Sequence, residues 1–119
     1  SDIERIFFHI LDSNENLVKE YNKKITNNTE VNSLYYIFKQ FSYLILSHEN
    51  EDQFLKNIPK YLFREKNLLV NIFNKFNSNK KRVLINLLFR TEMVMRKSGD
   101  LSLTMGLRFL LSYKKITIS

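Results

Sequence analysis

Chain breakers are nearly absent from this sequence: it has two Gly and one Pro in 119 residues. A sheet-rich fold needs special backbone conformations at frequent turns, so this scarcity favours long helices. The apolar spacing agrees along most of the chain. Ile3, Ile6, Phe7, Ile10 and Leu11 recur at i, i+3, i+4, i+7 and i+8, with Ser1 and Glu4 at capping-box spacing. Leu17, Val18, Tyr21 and Ile25 predict one face of a second, more polar helix. After the break at "NNT", the spacing predicts a long helix over 30–48, with Val31, Leu34, Tyr35, Phe38, Phe41, Leu44 and Ile45 along one side.

The acidic run "ENEDQFLKNIP" reads as a short helix or turn in which Pro59 holds Ile58 extended. A further helix is predicted over 61–76, with Leu62, Leu69, Ile72, Phe73 and Phe76 inward. "NSN" then breaks the chain and offers Asn77 or Ser78 as a cap. Residues 79–97 contain "VLINLLFRTEMVM", apolar on nearly all sides, and are expected to be the buried centre. Gly99 is placed to stop that helix. Asp100 or Ser102 is placed to begin the last one, over 101–114, with Leu103, Leu107, Leu110 and Leu111 inward. The reading is all-α: one domain over 1–119, a compact bundle of five to seven helices.

Composition narrows the function classes. Zero Cys removes disulfides, zinc-thiolate sites and thiol catalysis. No run of 18 apolar residues occurs, so the expectation is a cytoplasmic protein with no membrane role. The chain begins at Ser1 without Met, which suggests part of a longer protein. The net charge of +7 is uneven: residues 1–55 carry five Lys/Arg against nine Asp/Glu, and residues 56–119 carry fourteen against three. A basic half of this kind fits a polyanion such as nucleic acid, and solvated Lys-rich helix faces explain it equally well.

Catalytic chemistry is hard to place. His9 and His48 stand on separate helices without ligand-spaced partners, so no metal site is expected. Neither a glycine-rich phosphate loop nor a nucleophile-elbow serine is present, and no cofactor is expected. The one conspicuous acid is Glu92, set among Met93, Val94 and Met95 and sharing a helix face with Ile85, Leu88, Phe89 and Met95. An unpaired charge on an apolar side is costly. Arg96, four residues on, is the nearest candidate partner, and backbone N–H groups of a neighbouring helix start are another. Glu92 therefore reads as a structural or interface residue, not a catalytic one.

These residues in this order resemble a known family. "IPKYLFREKNLLVNIFNKFNSNKKRVLINLLFRTEMVMRKSG" followed by "LSLTMGLRFLL" is similar to the C-terminal domain of the delta subunit of bacterial DNA polymerase III, a clamp-loader subunit. The shared pattern is Pro59, then Tyr61, Phe63 and Arg64; Phe76 before the polar break; Glu92 with Arg96; Gly99; and Leu107 to Leu111. "NNTEVNSLYYIFKQFSYLI" is similar to the preceding helix, so the resemblance covers roughly residues 15–113. The turn after the Glu92 helix departs from the pattern: some members carry a DNA-associated aromatic residue there, where this chain has Ser98, Gly99 and Asp100.

The resemblance implies a helical collar at the C-terminal end of a longer AAA+-like subunit. Its partners would be the ATPase subunits and delta-prime, joined through the collar, with Glu92, Arg96, Leu107 and Leu111 structural or at the interface. Lys60, Tyr61, Phe63, Arg64 and Lys66 would lie near DNA, contacted weakly or indirectly. Contact with the sliding clamp would belong to an N-terminal part outside this sequence. Catalysis would reside in the parent DNA-directed polymerase assembly and not in this fragment. The alternative is a free-standing basic helical domain that binds nucleic acid, with "KKRV" opening a recognition helix after "NSN". Against it, a recognition helix needs a polar face, and this one is apolar nearly all round.

Overall fold

The computed structural model of the chain describes residues 2–12 and 16–118. It is all-α: α1 (Asp2–Asp12), α2 (Leu17–Lys24), α3 (Asn28–Ser47), α4 (Glu51–Asn57), a 3-10 segment (Lys60–Glu65), α5 (Lys66–Lys75), α6 (Ser78–Ser98) and α7 (Leu103–Ile118). The described residues contain no strand. The radius of gyration, 13.7 Å, is close to the roughly 13.5 Å expected of a packed chain of this length.

Asparagine sets most of the helix starts. The side chains of Asn16, Asn27, Asn50 and Asn77 each accept the backbone N–H three residues on, satisfying a donor that the first helical turn leaves free. Pro59 leaves Ile58 extended (φ −64°, ψ 126°), which separates α4 from the 3-10 segment. Gly99 ends α6 at φ 87°, its N–H bonded to Met95 O at 2.8 Å. Ser102 begins α7 by accepting the Met105 N–H. The Ser1–Glu4 capping box lies outside the described residues.

The buried centre is α3, not α6. α3 packs against α1, α4, α6 and α7, and its Val31, Leu34, Tyr35, Phe38, Phe41 and Ile45 are all buried. An edge-to-face ring cluster builds the core around it: Phe7 on Phe38 at 4.8 Å, Phe38 on Tyr113 at 4.9 Å, and Tyr35 on Phe109 at 4.9 Å. α6 packs chiefly on α7 and α3 and buries only Leu84, Leu87, Leu88 and Thr91. Its apolar circumference exceeds what two neighbours can cover, so the surplus faces outward.

Three smaller expectations also change. The helix predicted over 61–76 divides into the 3-10 segment and α5, with Phe76 half-buried beyond the end. Val18 points outward, while Leu17, Tyr21 and Ile25 turn inward. On α7 Leu110 is buried, Leu103 and Leu107 are half-buried, and Leu111 is exposed.

Three contacts that sequence spacing does not signal fix α7 and the turn before it against α2 and α3. Gly106 is buried where a Cβ would stand 2.1 Å from Val31 Cγ2 and 2.8 Å from the Tyr21 hydroxyl, so only glycine permits this approach. Tyr21 donates to Leu103 O at 2.7 Å, and its burial pushes the phenol pKa up to about 12. Asn32 accepts the Leu101 N–H at 3.0 Å and donates to Leu101 O at 2.9 Å, so one α3 side chain clamps the α6–α7 turn.

Candidate interaction surface

α3 and α6 meet along a seam centred on Glu92. Lys39 approaches from α3, and its ammonium donates to Glu92 Oε1 at 2.9 Å. Tyr35, one turn earlier on α3, donates its hydroxyl to Glu92 Oε2. Glu92 is thus paired across the helix boundary; Arg96 lies on the surface and acts on it only through its charge. Helix packing explains the difference from the expected i+4 pair. A partner on the facing helix is partly desolvated with Glu92, whereas an Arg96 pair on the outer face would compete with water.

The electrostatics follow from those contacts. Burial pushes the Glu92 carboxyl upward, but the Tyr35 and Lys39 hydrogen bonds and the Lys39 and Arg96 charges outweigh it, and the net shift is downward. Its hydrogen bond to Glu92 raises Lys39 above the usual lysine range. Burial, with Glu92 adding to it, drives Tyr35 far above the ordinary phenol value. Carboxylate, ammonium and neutral phenol all persist at neutral pH. Such a charge-satisfied triad holds helices together and leaves no group poised for proton transfer.

Aromatic and apolar side chains border the seam. Tyr36 and Tyr43 stand either side of Lys39, whose ammonium lies 5.9 and 5.7 Å from their ring centres. On α6, Ile85, Phe89 and Met93 follow at i, i+4 and i+8, with Phe89 62% and Ile85 51% exposed. At about 100° per residue, Ile85 and Phe89 share the Glu92 side of α6. Tyr36, Tyr43, Ile85, Phe89 and Met93 are all exposed, an apolar surplus on both sides of the seam. Lys39 is the residue that sequence reasoning missed. Its signal was available: a lone base inside an apolar helix, with tyrosines at i−3 and i+4, matches the lone acid of another.

The basic and aromatic cluster lies on the 3-10 segment and the first residue of α5. Leu62 is buried there, and Lys60, Tyr61, Phe63, Arg64 and Lys66 are exposed. Tyr61 donates to Gln40 Oε1 on α3. Arg64 lies over the Phe8 ring at 5.1 Å and Lys66 over the Phe63 ring at 4.8 Å. Tyr61 and Phe63 are therefore surface residues braced by their neighbours and do not fill the core.

Leu107 and Leu111 sit one turn apart on α7, about 100° around the helix from Arg108 and Ser112. The predicted interface residues thus fall into two groups: Glu92 with Arg96 on α6, and Leu107 with Leu111 on α7. Among the described residues no cluster of His, Cys, Asp or Glu could hold a metal ion, and no helix is long and apolar enough to cross a membrane. No family model, curated protein or solved structure matches the chain.

Proposed function

We propose that this chain is the helical collar of a clamp-loader subunit, resembling the delta subunit of bacterial DNA polymerase III, and acts in cytoplasmic DNA replication. The observation that carries the proposal is the apolar surplus of α6. Ile85, Phe89 and Met93 stay outside a core that the rings of α1, α3 and α7 already fill. A collar domain must keep such a face, because it joins its neighbours side by side and gains affinity by burying apolar surface there. The elements of the resemblance also fall at structurally meaningful points. Pro59 precedes the 3-10 turn, Asn77 caps α6, Glu92 ties α6 to α3, and Gly99 closes α6.

On this reading the ATPase subunits and delta-prime are the partners, and DNA passes near Lys60, Tyr61, Phe63, Arg64 and Lys66 without being gripped. The test is gel filtration of the chain with the clamp-loader ATPase subunit and delta-prime. Co-elution is expected for wild type and is expected to be lost in Phe89→Asp. No co-elution in either of two buffers would sink the proposal.

The exposed cluster on the 3-10 segment favours a second reading, a free-standing nucleic-acid-binding domain. It predicts tight duplex binding by the chain alone, with affinity falling steeply as salt rises. The collar reading predicts binding no tighter than about micromolar at physiological salt, as for nonspecific contacts.

A further inference from the structure

The other flank of α6 carries a different surface. Between α6 and α7, two cavities of about 310 and 300 Å³ open, both lined by Arg90 and Ser112. They form one groove that runs along α6 from Lys80 to Val94, a distance of about 21 Å at helical rise. Its apolar lining is Val83, half exposed, with Val94 and Met105 half-buried and Leu87, Phe109 and Ile116 largely buried. Its cations are Lys80 and Arg90 from α6 and Arg108 and Lys115 from α7, and among the described residues no acidic side chain lines it.

We propose that this groove docks an acidic amphipathic helix of a partner protein, about four turns long, with its apolar side on the floor and its carboxylates against Arg90, Arg108 and Lys115. Charge complementarity selects the occupant. An apolar lining flanked by Lys80 and Arg90 on one helix and by Arg108 and Lys115 on the other matches a helix with an apolar stripe and acidic flanks. The length agrees, since about 21 Å accommodates roughly fourteen helical residues.

A nucleic acid fits the same charges poorly. Single strands bind by stacking on exposed rings, and Phe109, the aromatic residue that lines the groove among the described residues, is 3% exposed. Duplex major-groove reading requires a protruding element, and this surface is concave. The inference stands apart from the collar reading, which rests on the α3 side of α6.

The test is fluorescence anisotropy with the whole chain and a labelled synthetic helix of roughly eighteen residues, leucines along one face and glutamates flanking them. Saturable binding is expected. Arg90→Glu with Arg108→Glu should weaken it about tenfold or more, while Arg5→Glu with Lys56→Glu, the same change in net charge away from the groove, should not. Ser112→Trp keeps every charge and fills the groove, so it should also abolish binding; circular dichroism checks that each variant folds. No saturable binding, equal loss in the Arg5/Lys56 variant, or a scrambled peptide binding equally well would overturn the proposal. Displacement of the peptide by an oligonucleotide at lower concentration than by unlabelled peptide would overturn it in favour of nucleic acid.

Discussion

Glu92 on α6 accepts the Lys39 ammonium of α3 at 2.9 Å on one oxygen and the hydroxyl of Tyr35 on the other. Tyr35 is 1% exposed, so the Glu92 carboxylate satisfies a donor that water does not reach. Removing it leaves that hydroxyl without its partner and breaks the link between α3 and α6. Glu92→Ala should therefore lower unfolding free energy by about 1–3 kcal/mol, and Arg96→Ala should change it by less than about 0.5 kcal/mol. Urea unfolding followed by circular dichroism measures both; equal losses would return the pairing to Arg96.

The same triad predicts a pH dependence. The folded Glu92 pKa lies below its ordinary value of 4.5, so its contribution is present above pH 4.5 and is lost as pH falls through the folded pKa. Lys39 is raised above 10.5, so its contribution is present below pH 10.5 and is lost as pH rises through its folded value. The stability gap between wild type and Glu92→Gln should be constant near neutrality and shrink below pH 4.5. Denaturant unfolding across pH 3–7, roughly spanning the carboxylate range, would refute this if the gap grew in acid.

Gly106→Ala should destabilise by about 1–3 kcal/mol or more, as overpacking does. The added methyl meets Val31 Cγ2 at 2.1 Å, on a β-branched side chain that is itself buried and has little room to rotate. The companion Gly99→Ala meets nothing within 4 Å, and its cost comes from φ 87° alone. Thermal melts of the two variants separate packing from backbone strain.

Asn32→Ala should cost about 1–3 kcal/mol, because it leaves the N–H and C=O of the buried Leu101 without that partner. Amide hydrogen exchange should then rise first in the turn between α6 and α7. Unchanged protection at Leu101 would argue that the turn holds itself.

Phe89→Ser should change stability by less than about 0.5 kcal/mol, as expected of a surface site, because the ring is mostly exposed already. A large loss would mean that Phe89 belongs to the core and not to a docking face.

The all-α class and most helix limits were legible in the sequence, because they depend on neighbours in the chain. Apolar spacing marked the long helix at 30–48, "NNT" and "NSN" supplied the caps at Asn27 and Asn77, and Gly99 closed α6. Glu92 was also visible as an acid needing a partner. Its partner was not, since Lys39 lies 53 positions away and Arg96 only four. The central position went to the wrong helix for a similar reason. Residues 79–97 are apolar nearly all round, but burial depends on how many helices surround an element, and α3 has more neighbours than α6. Periodicity names the faces that seek cover; only the packing of distant segments decides which of them find it and which are left for a partner.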